Sequence, residues 1–179
     1  MTDLQKKIQK SSYAAAVAFY LIVIFPLGNL LTQLLILFQL LTGTHSPETV
    51  FRNQPAHVSL TTSAIFLICS CMVYFLASAA LIMAQRIFRD INKEYTPFKP
   101  LHVTRLRRIT WMSTLCILGD GLLDTWSVQL LQQPLQPGFI RMFLRDLNFA
   151  YFLLPLVVYC FSFILDYACQ LQDEADTTL

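Results

Sequence analysis

The chain has 179 residues, of which 55% are hydrophobic and 13% charged, and its mean hydropathy is +0.53. Soluble domains carry about a quarter charged residues, so this composition excludes an ordinary water-facing surface. The net charge of +2 comes from basic residues in short clusters between apolar blocks, a pattern that predicts no direct nucleic-acid binding. The composition therefore predicts a protein whose surroundings are the lipid bilayer.

Four apolar blocks, each long enough to cross a bilayer, cover residues 12–41, 60–84, 109–131 and 147–167. Pro26 in block one and Pro155 near the middle of block four predict kinks. Small residues of block two favour close packing of a neighbouring helix, namely Ser70, Ala77, Ser78 and Ala80. We predict an all-α fold in which residues 1–179 form a single integral membrane domain, a bundle of four transmembrane helices with up-down topology.

The basic residues predict the orientation of the four spans. Three lysines precede block one and seven Lys or Arg lie between blocks two and three, whereas the remaining two loops hold only Arg52, Arg141 and Arg145. Cytoplasmic loops are enriched in Lys and Arg. The N-terminus, the central loop and the C-terminus are therefore predicted to be cytoplasmic.

Block three is the most polar block because it carries Asp120 and Asp124. A carboxylate at the centre of a membrane helix costs about 2.5–3.5 kcal/mol on insertion scales. Residues four apart share one helical face, so both side chains are expected to point into the bundle or into a wet cavity. In a structural interpretation they pair with basic or polar side chains, and in a functional one they bind a cation or a proton. The predicted intramembrane polar site comprises Asp120, Asp124, Asn29, Gln33, Arg141 and Arg145.

The sequence predicts no catalytic, cofactor-binding or metal-binding site. Intramembrane aspartyl proteases need carboxylates that face each other from different helices, whereas Asp120 and Asp124 share one helix. His45, His57 and His102 lie outside the four blocks, so they do not predict haem ligation between spans. The five cysteines lie within or at the ends of apolar blocks, which favours reduced packing residues. We therefore expect a non-enzymatic protein without cofactors.

The predicted cytoplasmic side carries a basic loop and an acidic tail. Arginines directly before block three favour contact with anionic lipid headgroups, and Pro100 predicts the start of a helix. The tail residues lie on the same predicted side, so a weak electrostatic contact between tail and loop is expected. The candidate contact surface for a protein partner comprises Pro97, Phe98, Arg105, Arg107, Arg108, Asp173, Glu174 and Asp176.

Two segments, "PFKPLHVTRLRRITWM" and "LQDEADTTL", resemble the bacterial membrane family called domain of unknown function 2975. The first is similar to its Pro-Phe-x-x-x-x-x-x-x-Leu-Arg pattern, and the second to its Leu-Gln-x-Glu-x-Asp-Leu-Thr ending, with Thr177 where leucine is usual. The resemblance implies a multi-pass plasma-membrane protein without an assigned reaction, whose relatives are associated with a small helix-turn-helix regulator. The positions that it matches are Pro97, Phe98, Leu106, Arg107, Asp173, Glu174 and Asp176.

Taken with the resemblance, the residues predict a regulatory or interaction protein that works through contacts at its cytoplasmic face. The alternative is a small transporter or ion-coupled channel that uses Asp120 and Asp124.

Overall fold

A computed structural model describes residues 3–44, 59–94, 99–131, 143–144 and 149–177 of the chain. Long helices account for nearly all of this part, and we label them α1 (Asp3–Leu41), α2 (Leu60–Glu94), α3 (Pro100–Leu131) and α4 (Leu153–Thr177). A short 3-10 helix, Phe149–Phe152, leads directly into α4. The prediction of an all-α fold is confirmed.

Local sequence signals explain where the helices begin and end. Ser59 precedes α2, and its Oγ accepts a hydrogen bond from the backbone N–H of Thr62 at 3.2 Å, which is the usual arrangement of a helix N-cap. Pro100 opens α3, where its missing N–H costs no helical hydrogen bond. Gly43 follows α1 with a φ of 72°, a left-handed conformation that glycine adopts without steric cost.

Three helical segments of the described chain are long and apolar enough to cross a membrane: Lys10–Leu41, Leu60–Lys93 and Ala150–Ala175. The helix α3 does not meet the same standard of apolarity, since it carries Asp120, Asp124 and several hydroxyl side chains. Large hydrophobic side chains are exposed along the apolar helices, among them Phe25, Phe38, Phe75 and Leu154. A surface of this kind belongs to a protein whose solvent is lipid.

Each helix packs against its neighbour in sequence, α1 on α2, α2 on α3 and α3 on α4, and within the described residues α1 and α4 make no comparable contact. Ring contacts show that neighbours are antiparallel. Phe19 in the first half of α1 stacks on Phe88 near the end of α2, with ring centroids 5.3 Å apart. Phe66 near the start of α2 meets Trp126 near the end of α3 at 6.1 Å.

Buried and half-buried positions of α1 and α2 follow a seven-residue repeat. On α1 the repeat comprises Ser12, Phe19, Pro26, Gln33 and Leu40, all of which are buried or half-buried. On α2 it comprises Ser63, Ser70, Ala77 and Ala84. A repeat of 3.5 residues per turn keeps two seams facing each other along their length. The predicted small residues of block two are buried or half-buried in the structure.

The two prolines differ in their effect on the helices. Pro26 lies inside α1, which continues on both sides of it. Pro155 was expected to kink the middle of the fourth span, but it lies in the first turn of α4, directly after the 3-10 helix. The N–H groups in the first turn of a helix have no acceptors within that helix. A proline there removes no helical hydrogen bond and does not kink the helix.

Candidate functional site

Asp120 and Asp124 line a cavity of about 260 Å³ between helices. α1 contributes Pro26 to its wall, and the 3-10 helix contributes Tyr151. The remaining wall comes from α2 and α3, namely Val73, Tyr74, Ala77, Cys116, Ile117 and Gly121. Both aspartates are exposed in the structure. The expected placement of the two acids on one face of a helix is observed.

The helices α2 and α3 approach each other closely beside the acid cavity. A Cβ atom added at Gly119 would lie 2.8 Å from Cγ2 of Val73, which is shorter than any real contact of this kind. The thiol of Cys116 donates a hydrogen bond to the backbone carbonyl of Val73, with a sulfur-to-oxygen distance of 3.6 Å. Small side chains on α3 therefore bring the carboxylates of that helix close to α2.

A second, larger cavity of about 650 Å³ adjoins the first. Its lining is almost entirely apolar and includes side chains from all four helices, such as Phe19, Leu81, Leu106 and Leu154. Ala77, Cys116, Ile117 and Tyr151 line both cavities. The two spaces are thus neighbours that share one wall, with carboxylates at one end and hydrocarbon at the other.

The other members of the predicted intramembrane site lie elsewhere. Asn29 and Gln33 are half-buried on α1, but neither lines the acid cavity, whose α1 wall is Pro26. The neighbouring Thr32 donates its hydroxyl hydrogen bond to the carbonyl of Gly28 within its own helix, at 2.9 Å. Arg141 and Arg145 lie outside the described residues. Pairing of the acids with these residues stays a prediction.

Two ion pairs connect the helices at the end opposite to the acid cavity. Arg105 of α3 donates a hydrogen bond to Asp90 of α2, and both side chains are about three-quarters buried. Arg107 of α3 lies 2.8 Å from Asp166 of α4, and its guanidinium also covers the ring of Phe163 at 5.6 Å. Asp90 lies near the C-terminal end of α2 and Asp166 in the middle of α4, so the two pairs connect both of these helices to the start of α3.

The predicted cytoplasmic contact surface is only partly available for a partner. Arg105 and Arg107 are engaged within the chain by Asp90 and Asp166. Arg108, Asp173 and Glu174 are exposed. Pro97 and Phe98 lie outside the described residues, and the side chain of Asp176 is not described. The expected contact between the tail and the loop therefore stays a prediction. Arg107 of the predicted loop instead pairs with Asp166 of α4.

His102, which the sequence places between the second and third apolar blocks, is buried in the structure. It lies in the first turn of α3 and is only 1% exposed. Among the described residues, neither ring nitrogen of His102 has a hydrogen-bond partner. Burial lowers the pKa of His102, the nearby Arg105 and Lys99 lower it further, and Asp90 opposes them. The ring is therefore held neutral near pH 7.

Several residues of the sites described above were not predicted from the sequence, namely Tyr74, Asp90, His102, Tyr151 and Asp166. Asp90 and Asp166 carried a detectable signal, since each is an isolated acid close to the end of an apolar block on the predicted side of the arginines. Tyr74 and Tyr151 carried none, because a tyrosine in an apolar block is common whether or not it borders a cavity.

The apolar helices and the acidic cavity between them define a helical integral membrane protein. No protein-family model matches the chain, and no curated protein or solved structure shows significant similarity to it. The resemblance to the domain of unknown function 2975 stays a prediction.

Proposed function

We propose that this chain is a four-span membrane protein that binds a cation at Asp120 and Asp124 and moves it, as a small transporter or an ion-coupled channel. The observation that carries the proposal is the position of both carboxylates on the wall of a cavity between helices. Acidic residues within membrane helices commonly face the bundle interior or a water-filled cavity and mark ion pathways.

The position of the acids along α3 supports the proposal. Asp120 is thirteen residues from Arg107, which corresponds to about 20 Å along a helix and places it well inside a hydrocarbon core of about 30 Å. Two carboxylates four residues apart lie on one face of α3, so together they offer oxygen ligands to a single cation. Such a site can exchange its occupant when the opposite side of the membrane offers another cation.

The proposal also includes the predicted orientation, in which the N-terminus, the central loop and the C-terminus are cytoplasmic in a bacterial plasma membrane. The ion pairs support this arrangement, since they join the end of α2 and the middle of α4 to the start of α3. The stacking of Phe19 on Phe88 brings the first part of α1 to the same end. The acid cavity then lies nearer the outer surface.

The test is ion flux in liposomes that contain the purified protein and a trapped pH dye. We expect a sodium gradient or a potassium diffusion potential to change the internal pH faster with wild-type protein than in protein-free liposomes. The double variant Asp120→Asn, Asp124→Asn should abolish the difference because it removes both charges. The control Asp173→Asn changes an exposed acid on the last turns of α4 and should keep the wild-type rate.

Two results would refute the proposed transport. One is a double variant that moves ions at the wild-type rate, and the other is a wild-type protein that moves sodium and protons no faster than empty liposomes.

We retain contact with a protein partner at the cytoplasmic face as a second candidate, because Arg108, Asp173 and Glu174 are exposed there. Crosslinking in native membranes tests it. Charge reversal by Arg108→Glu together with Asp173→Lys should remove a crosslinked partner that is seen with wild-type protein. An unchanged set of crosslinked products would exclude this surface.

A further inference from the structure

We propose that the occupant of the two adjoining cavities is a lipophilic organic cation, a molecule with one delocalised or quaternary positive charge on a bulky apolar body. This inference rests on the proposed function and specifies its substrate class. It is carried by the juxtaposition of a large apolar cavity and a smaller cavity that holds both carboxylates.

The size and the lining of the larger cavity favour an apolar body. Its volume of about 650 Å³ falls within the range of about 300–1,000 Å³ that is usual for small-molecule sites. Its wall contains aliphatic and aromatic side chains from all four helices, including Phe19, Phe88, Ile109 and Val158. A hydrated metal ion would gain nothing from such a surface, whereas an apolar group gains the full benefit of leaving water.

The charge of the smaller cavity favours a cation. Among the described residues, Asp120 and Asp124 are the only carboxyl groups of its lining, and no described lysine, arginine or histidine lines either cavity. Tyr74 and Tyr151 add aromatic rings, which attract cations through their electron-rich faces. An anionic lipid headgroup would be repelled by the same surface, so charge complementarity selects a cation over a phospholipid of the bilayer.

The two cavities are close enough to bind the two parts of one ligand. Ala77, Cys116, Ile117 and Tyr151 belong to both linings, so the proposed ligand places its charged centre near Asp120 and its apolar body in the adjacent larger cavity. Within the described residues α1 and α4 are not packed together, although both contribute to the larger cavity. A compound dissolved in the membrane therefore has a route into the cavity between these two helices.

The experiment compares three probes by equilibrium binding to the purified full-length protein in detergent. Tetraphenylphosphonium has the proposed charge and bulk, tetraphenylborate has the same shape with the opposite charge, and tetramethylammonium has the charge without the bulk. We expect saturable binding of tetraphenylphosphonium, with a Kd about tenfold or more below those of the other two probes. Equal binding of the phosphonium and the borate would overturn the proposal.

Variants then assign the binding to the cavities. The double variant Asp120→Asn, Asp124→Asn should weaken phosphonium binding by about tenfold or more, since the two charges that attract the probe are lost. Leu154→Trp places a larger side chain at the wall of the apolar cavity and should weaken the same probe. Asp173→Asn should leave the Kd unchanged. Wild-type affinity in both cavity variants, with melting temperatures showing that they are folded, would overturn the proposal.

The flux experiment tests transport and the binding experiment tests the ligand class, so a negative result in one does not decide the other. Sodium or proton flux that depends on the aspartates, without selective phosphonium binding, would refute the lipophilic ligand and keep the proposed function. Selective phosphonium binding that depends on the aspartates, without any flux, would keep the ligand class and refute transport. If a variant does not fold, the comparison of phosphonium with borate on wild-type protein still decides the inference.

Discussion

At the scale of single residues, His102 has a clear energetic consequence. The ring is buried near Arg105, Lys99 and Asp90, and both of its nitrogens lack hydrogen-bond partners among the described residues. Protonation would place a positive charge in a buried site, so the folded chain takes up this proton less readily than the unfolded chain. The first turn of α3 is therefore sensitive to acid.

We predict that the melting temperature of the purified protein falls between pH 7.5 and pH 5 through His102. The folded-state pKa of His102 lies below the ordinary histidine value of about 6.5, so its contribution to stability is complete above about pH 6.5 and is lost as the pH falls through the folded pKa. Over the interval in which His102 is protonated in the unfolded chain but not in the folded chain, the free energy of unfolding falls by about 1.4 kcal/mol per pH unit. Thermal melts in detergent at a series of pH values measure the effect.

The matched variant is His102→Phe, which keeps a ring and removes the titratable group. Its melting temperature should depend less on pH than that of the wild-type protein over the same interval. If the two pH profiles have the same slope, other groups determine the acid sensitivity and the prediction is wrong.

At the scale of helices, the contact between α2 and α3 depends on the absence of a side chain at one position. Gly119 lies so close to Val73 that any Cβ atom would overlap Cγ2 of the valine. The chain offers a natural control in Gly28 of α1, where an added Cβ would meet nothing within 4 Å. Both glycines lie inside helices, so the change to alanine has the same effect on helix propensity at each.

We predict that Gly119→Ala destabilises the protein relative to Gly28→Ala. Overpacking of a close contact costs about 1–3 kcal/mol, whereas the gain of about 0.5–1 kcal/mol from replacing a helical glycine is common to both variants. Adding Val73→Ala should rescue Gly119→Ala because it removes the overlapping methyl group. Unfolding of the variants in mixed detergent measures the three free energies. Equal stability of the two alanine variants would contradict the close contact.

At the scale of the whole molecule, the number of membrane crossings depends on α3. The helices α1, α2 and α4 include segments apolar enough to span by composition, and α3 does not. Its antiparallel packing between α2 and α4 nevertheless favours a crossing, since Phe66 meets Trp126 at one end and Arg107 meets Asp166 at the other. Four crossings place both termini and the central connector on one side.

Reporter fusions decide between three and four crossings. With alkaline phosphatase and green fluorescent protein as paired reporters, we predict that fusions after Glu94 and at the C-terminus both report the cytoplasm. Fusions after Leu131 should report the outside. If the fusions after Glu94 and at the C-terminus report opposite sides, α3 does not cross the membrane and the acid cavity cannot connect its two faces.

What the sequence by itself determined is the helical class, the approximate apolar spans and the side-by-side position of Asp120 and Asp124. These features depend on composition and on the 3.6-residue period of a single helix, which are local properties. The turn into α3 at Pro100 and the small-residue face of α2 were predictable for the same reason.

Only the tertiary structure decided what each of these features contacts. Asp166 rather than an acid of the tail binds Arg107, Pro26 rather than Asn29 or Gln33 borders the acid cavity, and a histidine assigned to a loop is buried. Tyr151, distant in sequence, forms the wall shared by the polar and apolar cavities. Such contacts depend on the rotation and spacing of neighbouring helices. In a membrane these are determined by side-chain packing, which the apolar pattern of one helix does not specify.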